Sequence, residues 1–129
     1  MRTRAMISGV VAAIAATVAL VGFDVNTHGE EKFQKLTGPQ IRTKFTGMEM
    51  TDNTHWADVF GPNGELKTYS MGVKKAGKWR VDKDELCVDR GKGDGGCYQV
   101  WLSGKNVEFR HENVPAIFEG ILQRPAARY

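Results

Sequence analysis

What this 129-residue chain lacks narrows its reading first. It holds only two cysteines, Cys87 and Cys97, with no Cys-x-x-Cys spacing and no third cysteine or histidine near them. It has no serine in a Gly-x-Ser-x-Gly turn; Ser70 and Ser103 fall in strand and turn contexts. The glycine-rich Gly91-Lys92-Gly93-Asp94-Gly95-Gly96 lacks the ordered glycines and the Lys-Ser/Thr end of a phosphate loop. Asp82, Asp84, Asp89 and Asp94 miss the ligand spacing and closing glutamate of a calcium loop. No basic stripe interleaved with aromatics is present, which argues against nucleic-acid binding. No internal repeat or low-complexity tract is evident, and the length allows one small domain.

What is there begins at the N-terminus. Arg2 and Arg4 precede an uncharged run from Ala5 to Phe23, rich in Ala, Val and Ile. This is the basic start and apolar centre of a secretory signal. As a helix the run would cover roughly 28 Å, close to a hydrocarbon core, so an uncleaved membrane anchor is the alternative. No cysteine ends the run, which argues against a lipoprotein, and the two arginines are not adjacent, which argues against the twin-arginine route. Residues 24–129 keep all but two of the 18 Lys and Arg and all 15 Asp and Glu, so the exported part is near +1. Residues 24–35 read as a polar linker, and 36–129 as the folded domain.

An even cysteine count in an oxidising compartment reads as one disulfide. Apolar runs at Leu86–Val88 and Tyr98–Leu102 flank the pair, so the bridge would staple a hairpin around a glycine-rich loop, Asp89–Gly96. A redox or metal pair is the other reading. Pro39 suits the first turn of a short helix, Thr37 or Gly38 its cap and Gly47 its end. Leu36, Ile41 and Phe45 share one face of it. Beyond Met48, apolar and polar residues alternate, as in Trp79/Val81 against Lys78/Arg80 and Val107/Phe109 against Glu108/Arg110. Eight strands are expected, near 48–51, 55–60, 66–71, 78–81, 85–88, 97–102, 106–110 and 117–123. Turn residues separate them, including a loop at Gly72–Gly77 and Pro62-Asn63-Gly64. The fold class is mainly β: an antiparallel meander closing into a barrel or half-barrel with the short helix across one end.

Leu36-Thr37-Gly38, Phe60-Gly61-Pro62-Asn63-Gly64, Gly77-Lys78-Trp79-Arg80-Val81 and Cys97-Tyr98-Gln99-Val100 occur together here. In this the chain resembles a group of small exported bacterial proteins of unknown function, with a Gly-x-Trp-x-Val strand and a two-cysteine hairpin. The resemblance spans roughly residues 36–110 and implies a fold but no activity.

Asp52, His55 and Asp58 form the densest polar cluster, with the residue types of an acid/base or partial metal site. On a strand, however, His55 and Asp58 would face opposite sides. His28 and His111 stand alone. The expected function is therefore a periplasmic or secreted binding module rather than an enzyme, with no cofactor or metal. Its partner would be a small apolar ligand lined by Trp56, Tyr69, Trp79 and Trp101. The alternatives are an envelope protein gripping another protein through its loops, and a small enzyme using Asp52, His55 and Asp58.

Overall fold

A computed structural model describes residues 32–114 and 116–127. The leader expected over 1–23 and most of the linker lie outside the described residues. β1 (Gln34–Lys35) leads into α1 (Gly38–Phe45). Eight strands follow: β2 (Glu49–Thr51), β3 (Trp56–Phe60), β4 (Glu65–Ser70), β5 (Val73–Asp82), β6 (Glu85–Gly91), β7 (Asp94–Ser103), β8 (Asn106–Arg110) and β9 (Phe118–Gln123). Each pairs antiparallel with the next, and β9 returns to β2, with Met50 opposite Leu122. The sheet is thus a closed up-and-down barrel, not a half-barrel. Closure removes the free edges that an open sheet of this size would expose.

The alternation read in the sequence sets the inner wall. Leu66 and Thr68, Leu86 and Val88, Tyr98 and Val100, and Val107 and Phe109 are all buried. Trp79 joins them, 7% exposed, and its indole N–H donates to the Gly61 carbonyl at 2.9 Å. Phe60 sits between Phe45 and Trp79 in edge-to-face contact, with ring centroids at 5.1 and 5.5 Å.

α1 plugs one end of this barrel. Thr37 caps it in a reciprocal box with Gln40, whose side chain accepts the Thr37 N–H at 2.9 Å. Ile41 and Phe45 point into the core and Leu36 packs beside them. The Gly38 N–H donates to the Asp84 carboxylate at 2.8 Å, which ties the helix start to the β5–β6 turn. Only glycine fits there, because a Cβ on Gly38 would lie 2.1 Å from the Lys83 carbonyl oxygen. Eight residues are too few for a helix stable alone, so this docking is what holds it.

Three expectations need correction. The linker is not featureless near its end: β1 pairs with β7 at Trp101 and Leu102. β8 takes one edge of β7 there, so β1 lies on the edge that β6 occupies over Asp94–Tyr98. The expected loops at 72–77 and 89–96 are mostly strand. Their turns shrink to Met71-Gly72 and Lys92-Gly93, all four at positive φ (49°, 80°, 52° and 76°). Two such residues in succession match the right-handed twist of a hairpin, so the strands run to the tip.

Cys87 and Cys97 form the disulfide, facing each other across β6 and β7. Leu86 and Val88 point inward, so Cys87 projects to the outer wall. Replacing both cysteines with serine should cost about 3 kcal/mol by loop entropy, read from full urea unfolding curves in which midpoint and slope are both fitted. A loss near zero would mean that the closed barrel alone holds this hairpin in register.

Candidate functional site

Successive turns of a meander alternate between its ends. α1 is docked on the β5–β6 turn, so the β2–β3, β4–β5, β6–β7 and β8–β9 connections ring the opposite end, the mouth. A cavity of about 400 Å³ opens there. Its lining draws on every barrel strand: Met50, Trp56, Asp58, Thr68, Val73, Lys75, Arg90, Asp94, Phe109 and Phe118 among them. A cavity touched by all eight strands lies on the barrel axis. Neither α1 nor β1 contributes to it.

The cup is apolar in its walls and ionic in its depth. Arg90 donates to one oxygen of Asp58 twice, from Nη2 at 2.6 Å and Nε at 3.2 Å. The two side chains are 15% and 5% exposed. Arg90 Nη1 lies 3.7 Å from Asp94, which is 69% exposed on the rim. The guanidinium carbon is 5.8 Å from the centre of the Phe118 ring. Burial raises the Asp58 pKa above the ordinary carboxylate value; Arg90 opposes this and Asp94 reinforces it. Burial works against the charge of Arg90 as well, but the bonds to Asp58 and the field of both carboxylates hold it protonated.

Around the mouth the surface turns apolar. The exposed large hydrophobics among the described residues are Met71, Val73, Val114, Ile117 and Phe118. All five belong to the β4–β5 or β8–β9 hairpin. A cluster of this kind, bordering a cavity, marks a surface that meets something less polar than water.

Of the four aromatics expected to line a ligand, Trp56 and Tyr69 border the cup. Tyr69 does so from the outer side of the rim, where its ring carries the Lys74 ammonium at 5.9 Å. Trp79 is in the core toward the plugged end. Trp101 is on the outer wall, stacked under the Arg110 guanidinium at 4.3 Å. Cup residues that the sequence pattern does not single out include Arg90, Asp94, Lys75, Met50, Phe109 and Phe118. Arg90 carried a usable signal, being in phase with inward Leu86 and Val88, but it fell in a stretch taken for a loop.

The polar cluster divides. Asp52 and His55 meet outside the barrel, Nδ1 to Oδ2 at 2.9 Å, while Asp58 points inward to Arg90. The other Asp52 oxygen accepts the backbone N–H groups of Thr54, His55 and Trp56, which fixes the β2–β3 turn. Partial desolvation pushes the Asp52 pKa up, but these three bonds and the His55 ring outweigh it, and the net shift is strongly downward. A depressed carboxylate favours the fold above its unfolded pKa and loses that contribution as pH falls through its folded one. The stability gap between the wild type and Asp52→Ala should therefore be constant near neutrality and close in acid. Urea titrations at stepped pH would show this; a gap that widens in acid would be incompatible with it.

Among the described residues, no three His, Cys, Asp or Glu side chains converge as metal ligands, and no helix is long and apolar enough to cross a membrane. Comparison with family models, with curated proteins and with solved structures returned no match.

Proposed function

We propose that this chain is an exported, non-enzymatic binding module that seats one small molecule in the mouth of its barrel. The observation that carries this reading is the axial cavity of about 400 Å³, walled by all eight strands. Its size falls among small-molecule sites, and eight strands is a barrel size known to hold a single small ligand. The apolar walls and a few fixed polar groups are the usual make-up of such sites. The disulfide is compatible with an oxidising compartment, and the sequence of residues 1–23 supports export to one. Asp58 and Arg90, the buried titratable pair of the cup, are committed to each other, and the Asp52–His55 pair lies outside it, which favours binding over catalysis.

Native mass spectrometry of the protein recovered from an oxidising periplasm tests the reading. A reproducible extra mass on the folded chain is the expected result. A bare chain that also fails to take up apolar probes would turn the reading toward a protein partner at the mouth. The exposed rim gives that second reading its own observation. In that case Met71→Ser with Val114→Ser should abolish capture of the envelope partner and leave the fold intact.

A further inference from the structure

We propose that the molecule seated in the cup is an amphipathic anion. Its charged head lies between Arg90 and Lys75, and its apolar tail runs against Met50, Phe109 and Phe118 toward the rim. This rests on the cup being a small-molecule site and adds the chemical class of its occupant.

Formal charge alone does not decide the class, since the cup holds two cations, Arg90 and Lys75, and two carboxylates, Asp58 and Asp94. What decides it is which of these groups are free to bind. Asp58 lies at depth behind Arg90 and already accepts two bonds from it. Arg90 has five N–H donors, and the described contacts engage only its Nε and Nη2 faces. Its Nη1 is 3.7 Å from Asp94, beyond hydrogen-bond reach. Asp94 is therefore a loose occupant of the position a ligand's anion would take, and its exposure lets it turn out to water. Lys75 makes no ion pair among the described residues.

A cationic head fits poorly for a second reason. The ring of Phe118 already faces the Arg90 guanidinium, and that of Tyr69 the Lys74 ammonium. Two of the cup's aromatic faces that could attract a ligand cation thus carry the protein's own. Arg90 is also held in place by Asp58 before anything binds, so little side-chain freedom is lost on engaging an anion. The rim supplies the rest. Val73 and Phe118 both line the cup and are exposed at its edge, so a tail longer than the cup would cover them.

Three probes with one tail separate the possibilities: decanoate, decanol and decyltrimethylammonium, titrated into the disulfide-bonded protein by calorimetry. Decanoate should bind roughly tenfold or more tightly than the other two, the worth of one charge-assisted contact in a partly desolvated site. Lys75→Gln should weaken decanoate roughly fivefold and leave decanol unchanged, at an unaltered thermal midpoint. Arg90→Ala alone would strand Asp58 and risk the fold. The paired variant Asp58→Leu with Arg90→Met avoids this, and should erase the preference for decanoate while decanol still binds. If decanol or decyltrimethylammonium binds as tightly as decanoate, the anionic head is wrong and the cup remains a ligand site. If none of the three binds and the recovered protein carries no extra mass, the cup is not a ligand site, and both readings fall.

Discussion

Asp58→Ala should lose about 3–5 kcal/mol of unfolding free energy, the cost of breaking a buried ion pair from one side. The loss comes less from the missing attraction than from the partner left behind. Arg90 would keep its charge, at 15% exposure, with the loosely placed Asp94 as the carboxylate left beside it. Replacing both members by apolar residues of similar volume, Asp58→Leu with Arg90→Met, removes that penalty and should recover most of the loss. Urea denaturation of the wild type, Asp58→Leu, Arg90→Met and the pair closes a double-mutant cycle. A single-variant loss within about 1 kcal/mol would show that water reaches Arg90 freely and that the pair is not structural. The titration of Asp58 has its own sign. Its pKa is raised in the folded state, so the folded chain binds this proton more readily than the unfolded one. That preference favours the fold below the ordinary carboxylate value and is lost as pH rises through the folded pKa. The worth of the pair depends on both partners being present.

Phe45→Ala should cost a comparable amount, about 3–5 kcal/mol, for a different reason. Phe45 is fully buried, edge-on to Phe60 at 5.1 Å and 6.3 Å from the Phe109 ring. It is also the last residue of α1. Removing its ring leaves a cavity at the plug and takes away much of what holds an eight-residue helix that cannot stand alone. Hydrogen exchange should report this locally. Amides of α1 should lose protection first, while those of β6 and β7, joined by the disulfide, should retain theirs. Equal loss of protection throughout would mean that plug and wall unfold as one unit. An equilibrium loss under about 1 kcal/mol would place Phe45 outside the core.

Local chemistry settled much of this fold in advance. Thr37, Pro39 and the Leu36/Ile41/Phe45 face specify a capped two-turn helix, because caps and faces depend on neighbours within four residues. Alternation in Trp79/Val81 and Val107/Phe109 specifies strands with one wet side. Eight of them in a meander leave few ways to hide an apolar face other than closing, so the barrel itself was legible. The cysteine pair was legible as a hairpin staple, since both flanks read as strand.

What the tertiary structure decided are the things that depend on closure. The stretches at 72–77 and 89–96 read as loops because glycines and charged residues outnumber the apolar ones in them. They are strands because neighbours across the wall supply the hydrogen bonds and the close approach. A Cβ on Gly77 would meet the Asp89 carbonyl oxygen at 2.3 Å, and one on Gly95 the Val88 carbonyl oxygen at 2.2 Å. That extension puts Asp94 on the rim and turns Arg90 inward to Asp58. Asp58 and Arg90 stand 32 positions apart, on β3 and β6, and no local pattern links them. The barrel's curvature brings them face to face across its interior, where the low dielectric makes each the other's necessary partner. Likewise, nothing in the order of residues says that Trp56 borders the cavity while Trp79 fills the core and Trp101 stacks outside. The period of two fixes which side of a strand a residue faces; how far along the barrel axis it sits, and what it meets there, follows only from the register of all eight strands at once.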